Sequence, residues 1–162
     1  MGSRSQLPLE KIQEDLERRF PNLKRDTYTV SSDDTIIYNC FAFVLGHTLG
    51  NLDPHPGPGN YWPQNITRSV ERDIFIQVYA QDGFVPCDNG NLEEGFEKIA
   101  IYVDGTEALH ASLQLPDGRW TSKLGQLEDI EHRALEVLAG FTGEAYGEIG
   151  VYLKRPRSAR HP

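Results

Sequence analysis

Residues 97–125 constrain the fold most, because apolar and polar residues alternate there with a period of two over three successive segments. The segments EKIAIYV (97–103) and EALHASLQL (107–115) flank Asp104 and Gly105, a dipeptide that favours a tight hairpin turn. Pro116-Asp117-Gly118 marks a second turn, and RWTSKLG (119–125) follows as a third strand. The pattern predicts an antiparallel β-meander.

Helical spacing replaces this alternation in the first half of the chain. Apolar residues recur every three or four positions over residues 9–20, and Pro21 ends that helix. Residues 40–45 are apolar on every side, which predicts a short buried helix that Gly46 stops. The same spacing predicts helices from Ile66 to about Gly83 and over residues 127–138.

The remaining segments complete an α+β domain. Short strands are predicted at residues 27–30 and 150–156. Residues 51–64 are so rich in proline and glycine that neither helix nor sheet is expected, and a loop of this length is usually functional or mobile. Helices first and a meander afterwards indicate one α+β domain over 1–162, with flexible ends at 1–7 and 157–162.

Charge and composition exclude several classes of function. Sixteen basic and 24 acidic residues give a net charge of -8, which disfavours partners such as nucleic acids and anionic membranes. No apolar run approaches the roughly 20 residues of a membrane span, and the N-terminus lacks a signal-peptide pattern. We therefore expect a cytoplasmic protein with two reduced cysteines. His110 and His132 show no metal-ligand spacing, so no metal is expected. No cofactor is expected either. The sequence leaves the oligomeric state open.

Cys40 is the candidate nucleophile, because it heads the predicted buried helix. A helix N-terminus lowers a thiol pKa through its dipole and its free N–H groups. A buried structural cysteine fits the same position, and the residues alone leave both interpretations open. Cys87 is a weaker rival, since it lies in a turn-rich stretch with no helix to activate it.

His110 is the candidate base, because it lies in the middle of a predicted strand and shares a face with Ser112 and Gln114. The competing interpretation is a half-exposed strand histidine. His47 lies too far along the helix from Cys40, and nothing fixes His55 in its loop.

Supporting groups are predicted around this pair. A two-residue turn at Asp104-Gly105 would pair His110 with Ile99 and place Glu97 diagonally beside the imidazole as an orienting group. Ser122 is a second orienting candidate if the turn after residue 115 is longer than two residues, and Asn39 or the Cys40 N–H could donate to an oxyanion. Tyr61, Trp62 and Gln114 are candidate pocket residues, although Tyr61 and Trp62 fit equally well as a hydrophobic clip for the loop.

Several motifs resemble a known but uncharacterised bacterial family, a domain of unknown function. They are YNCFAFVLG, YWP, EKIAIYV, HASLQL, WTSKLG, DIEH and YGEIGVYLKRP, which together span Tyr38 to Pro156. The chain also resembles, more distantly, the papain-like hydrolases, including the NlpC-like amidases. In those enzymes a cysteine heads a helix and a histidine lies on the following sheet, which implies Cys40 and His110 here. Their base usually opens a strand of the HVGIYVG type, where this chain has Lys98.

Two functions follow as expectations. The first is a thiol hydrolase or acyl-transferase in which Cys40 attacks a peptide or other amide and His110 shuttles the proton. The second is a non-catalytic papain-like scaffold that binds a protein through the 51–64 loop. The reactivity of the Cys40 thiol separates the two.

Overall fold

The computed structural model describes residues 4 and 6–157, and within them helices pack on both faces of one large sheet. The helices are α1 (Leu9–Arg19), α2 (Cys40–Phe43) and α3 (Arg72–Ala80), with 3-10 turns at Arg25–Thr27 and Leu135–Leu138. The strands are β1 (Tyr28–Val30), β2 (Asn51–Leu52), β3 (Asn60–Tyr61), β4 (Val85–Cys87), β5 (Phe96–Asp104), β6 (Glu107–Gln114), β7 (Trp120–Lys123), β8 (Asp129–His132) and β9 (Glu148–Pro156).

The large sheet is seven-stranded and antiparallel, with the order β1-β8-β7-β6-β5-β9-β4. Its centre is the predicted meander, in which β5, β6 and β7 follow one another along the chain. The final strand, β9, returns to pair with β5 on the other side. The α+β class and the strands predicted from the period-two pattern are therefore confirmed.

Two separate cores lie on the two faces of the sheet. Ile101 of β5 and Ala111 of β6 are opposite each other and point into the core formed with α2 and α3. Tyr102 points the other way, into the core formed with α1. This alternation buries both faces, and each buried aliphatic side chain stabilises the fold by roughly 1.5–3 kcal/mol.

The β5–β6 hairpin has a different register from the one predicted. Asp104 pairs with Glu107, and Gly105 (φ +61°) and Thr106 form the turn. A β-bulge then shifts the pairing, so that His110 lies opposite Tyr102 and not Ile99. The displaced turn moves the partner of His110 by two residues and the extra residue in β6 moves it by one more, so that His110 no longer shares a face with Glu97.

One predicted helix is wrong and a second begins later than predicted: no α-helix forms over residues 127–138, where only Leu135–Leu138 makes a 3-10 turn. Residues 129–132 form β8, because their backbone pairs with both β1 and β7 and so fills the sheet between them. The helix predicted from Ile66 begins only at Arg72, because the Val70 carbonyl accepts the Ala108 N–H and the Arg72 N–H donates to the Thr106 carbonyl. Tertiary pairing overrides local periodicity in both places.

The loop predicted for residues 51–64 contains a small parallel pair, β2 with β3, so sheet is not excluded there. The ends predicted to be flexible lie partly outside the described residues, which omit 1–3, 5 and 158–162. Arg4 is described, and it forms ion pairs with Asp15 and Glu128.

Candidate functional site

Asn39 fixes the start of α2. Its side-chain carbonyl accepts the Ala42 N–H at 3.0 Å, as a helix N-cap does, and also the Leu52 N–H at 3.1 Å. Its amide nitrogen donates to the Leu52 carbonyl at 2.9 Å. Asn39 thus joins α2 to β2, a structural role that the sequence did not predict, and its role as an oxyanion donor stays a prediction.

Cys40 begins α2 as predicted, but its thiol is buried. Burial raises the pKa of Cys40 to about 12, although the Ala111 N–H, the Lys123 charge and the N–H groups of Cys40 and Phe41 act in the opposite direction. The thiol is therefore protonated at neutral pH, which is the opposite of an activated nucleophile.

His110 lies on the other face of the sheet from α2. Its ring stacks on Tyr146, with centroids 4.1 Å apart, and also contacts Tyr102. Neither ring nitrogen has a hydrogen-bond partner among the described residues. Burial lowers the pKa of His110 well below its ordinary value, and repulsion from His132, once that ring is protonated, acts in the same direction. The structure therefore does not join Cys40 and His110 as a hydrogen-bonded pair.

The other predicted supporting residues also have structural partners. Glu97 shares the face of Ile99, away from His110, and forms an ion pair with Arg155 at 2.6 Å. Gln114 is buried and donates to the Gly90 carbonyl at 2.7 Å. The register change at the bulge explains why Glu97 is not beside the imidazole.

Ser122 belongs to a buried chain of hydrogen bonds that the sequence did not reveal. Its hydroxyl lies 2.7 Å from the Ser112 hydroxyl and 2.8 Å from His132 Nε2. His132 Nδ1 lies 2.9 Å from the Ala134 carbonyl oxygen, so it carries the proton there. Burial lowers the pKa of His132 to about 4, which keeps this imidazole neutral. The chain of hydrogen bonds links β6, β7 and β8 within the buried core.

Lys123 is a charged group near Cys40 that sequence reasoning missed, and Asp129 lies opposite it on β8. Lys123 Nζ donates to the carbonyls of Gly125 and Leu127. Burial raises the pKa of Asp129, whose carboxylate accepts the Tyr38 hydroxyl at 3.4 Å. The period-two pattern of β7 was the available signal, because it places Lys123 on the face opposite to Ser122.

A cleft of about 570 Å³ opens at the neck of the proline-rich loop, which we define as residues 46–50 and 59–61. The Asn51 N–H donates to the Gly59 carbonyl at 2.7 Å, which closes the neck beneath it. Tyr61 lines the cleft, whereas Trp62 is buried and donates from Nε1 to the Ile66 carbonyl. The lining residues are Gly46, His47, Thr48, Leu49, Gly50, Gly59, Asn60 and Tyr61.

Within the described ranges, no helix is long and apolar enough to cross a membrane. The same residues contain no cluster of three or more histidine, cysteine, aspartate or glutamate side chains that could hold a metal ion.

Residues 29–154 match a family described as a domain of unknown function (DUF7689). The matched range includes Cys40, His110 and every residue of the cleft. No curated protein and no solved structure matches the chain.

Proposed function

We propose, from the premise that the chain belongs to the DUF7689 family, that it is a non-catalytic module which binds a peptide or protein in the cleft at the loop neck. One observation carries this proposal: the Cys40 thiol is buried with a raised pKa, and His110 projects from the opposite face. The chemistry of a thiol hydrolase requires a thiolate and an imidazole in contact.

The cleft supports the binding role through its size and its side chains. Its volume of about 570 Å³ lies within the range of pockets that hold ligands. Leu49 is 94% exposed at its rim, and the rings of His47 and Tyr61 meet edge to face with centroids 5.8 Å apart. An exposed aliphatic residue beside an aromatic pair suits an apolar side chain of a partner.

The proposed scaffold is papain-like and has no catalytic activity. A cysteine heads a short helix on an antiparallel sheet, and Lys98 stands where NlpC-like enzymes begin the strand with histidine. The net charge of -8 supports a partner other than nucleic acid or an anionic membrane, and the proposed location is the cytoplasm.

The second candidate is the thiol hydrolase or acyl-transferase acting on an amide. The backbone N–H groups of Ala111, Cys40 and Phe41, which act on the Cys40 thiol, favour it. Such donors stabilise a thiolate or an oxyanion once the sulfur is accessible.

Thiol labelling decides between the two candidates. With iodoacetamide near neutral pH, we expect Cys40 of the single-cysteine variant Cys87→Ser to react slowly in the folded protein. After urea unfolds this variant, Cys40 should react at the rate of an unfolded cysteine. The matched variant Cys40→Ala leaves Cys87, which is partly exposed and should react in the folded protein. Rapid labelling of folded Cys40 would favour the enzyme instead.

Peptide selection tests the cleft. Peptides selected from a random library against the wild type should lose binding to Leu49→Asp and Tyr61→Ala. Leu92→Asp is the matched control, because Leu92 is also exposed but does not line the cleft. Selected peptides that bind Leu49→Asp and Tyr61→Ala as tightly as the wild type would remove the cleft from the proposal.

A further inference from the structure

Residues 88–95 form the connection between β4 and β5, and Gly90 within it lies against Trp120 of β7 and Tyr152 of β9. Asn89 lies there, exposed, and is followed by Gly90; no other asparagine in the sequence precedes a glycine. We propose that Asn89 is a deamidation site, where the side-chain amide converts to aspartate or isoaspartate with assistance from Lys98.

The side-chain carbonyl of Asn89 is polarised by two donors. Its Oδ1 accepts the Asn91 N–H at 3.0 Å and lies 3.3 Å from Lys98 Nζ. Lys98 is only 2% exposed, and a second bond to the Asn89 main-chain carbonyl at 3.0 Å holds its ammonium group in place. Fixed donors aimed at an oxygen stabilise the negative charge that develops there when the carbonyl is attacked.

The attacking group is the main-chain nitrogen of Gly90. Its N–H makes no hydrogen bond to any part of the protein that the structure describes, so no protein acceptor holds its proton. The bond from Asn91 to Asn89 closes an Asx turn, which folds the side chain back over the intervening amide. Gly90 has no side chain to block the approach, and such proximity lowers the barrier to ring closure.

The reaction balances with water as the only co-reactant. The Gly90 nitrogen forms a bond to Asn89 Cγ and gives its proton to water or hydroxide. The Cγ–Nδ2 bond then breaks, and the departing nitrogen takes up a proton to leave as ammonia. Water opens the resulting succinimide at one of its two carbonyls, which gives aspartate or isoaspartate at position 89.

Conversion should alter the packing of the connection. A Cβ atom placed on Gly90 would lie 2.8 Å from a Tyr152 ring carbon and 3.1 Å from Trp120, so there is no free space around it. Isoaspartate adds one atom to the main chain between residues 89 and 90. We therefore expect the connection to shift and the buried Trp120 ring to become accessible.

Peptide mapping by mass spectrometry tests the site. The folded protein is incubated at mildly alkaline pH, and the acid and amide forms of Asn89 are quantified over time beside a urea-unfolded sample. Asn91, in the same connection but followed by leucine, is the internal control. We expect Asn89 to convert in the folded protein while Asn91 stays an amide, with increased iodide quenching of tryptophan fluorescence in the converted fraction.

Two variants test the role of Lys98. Lys98→Met should slow conversion about tenfold, a modest value for loss of one oxyanion donor, whereas Lys98→Arg should keep most of the rate. Circular dichroism checks that both variants fold. If folded Asn89 keeps its amide while the unfolded sample converts, the fold protects the site and the proposal fails. Equal rates in Lys98→Met and the wild type would also overturn it.

Discussion

Burial determines the protonation of the Cys40 thiol and of the His110 imidazole in this molecule. Both nitrogens of the His110 ring are buried and have no partner among the described residues, which costs roughly 1–3 kcal/mol of the free energy of folding. We expect His110→Phe to stabilise the protein by about 1–2 kcal/mol at neutral pH, because phenylalanine keeps the stack on Tyr146 and removes both unsatisfied atoms. Urea denaturation measures the change. A clear loss of stability would mean that the imidazole has a bonding partner.

Asn39 gives a second prediction for a single residue. Asn39→Ala removes an N-cap and two bonds to Leu52, so we expect the free energy of unfolding to fall by about 2 kcal/mol. Asn39→Asp keeps the acceptor for the Ala42 and Leu52 N–H groups but places an oxygen against the Leu52 carbonyl, so its loss should be intermediate. Equal losses in the two variants would contradict the capping argument.

The loop neck is the element on which the proposed binding site depends. A Cβ atom on Gly50 would lie 2.9 Å from the Gly59 carbonyl oxygen, so Gly50→Ala must push β2 and β3 apart. We expect a loss of about 1–2 kcal/mol and faster hydrogen exchange at the Asn51 amide, whose bond to Gly59 closes the neck. Thr48→Ala, in the same loop, is the matched control and should change neither. An unchanged exchange rate in Gly50→Ala would show that the neck is not closed in this way.

The elements also show where sequence reasoning succeeds. The β5–β7 meander was predictable because alternation and turn residues agree locally. β8 was not, because Leu127, Ile130 and Leu138 also fit helical spacing, and only pairing with β1 and β7 decides for a strand. The bulge in the β5–β6 hairpin had no clear signal in the sequence either, and it altered the neighbours of His110.

At the scale of the whole molecule, the candidate site was only partly predictable because both faces of the sheet are buried. The sequence placed Cys40 correctly at a helix start and His110 on a strand with Ser112. It did not show which face α2 covers, because both faces of β6 are buried and neither is reserved for solvent. Such a choice depends on how distant segments pack, and alternation within one strand carries no information about it.

Two buried histidines of the same sheet make the free energy of unfolding of the whole molecule depend on pH. His110 and His132 are neutral in the folded state because burial lowers their pKa values, that of His132 to about 4. In the unfolded chain a histidine takes up a proton near pH 6.5. Below that pH the unfolded state therefore binds more protons than the folded state, so stability falls as the pH falls. Each histidine contributes a slope of up to about 1.4 kcal/mol per pH unit, which for His132 ends near its folded pKa.

We therefore expect the free energy of unfolding to decrease steadily between about pH 6.5 and pH 5, a window above the ordinary range in which carboxylates titrate. His110→Phe should remove one proton from this linkage and so lower the slope by up to about 1.4 kcal/mol per pH unit. Leu49→Ala changes an exposed position without removing a titratable group and is the control, with the wild-type slope expected. Urea denaturation at several pH values in this window measures all three proteins. If His110→Phe has the wild-type slope, His110 is not held neutral by the fold, and its burial between Tyr102 and Tyr146 is not what determines its protonation.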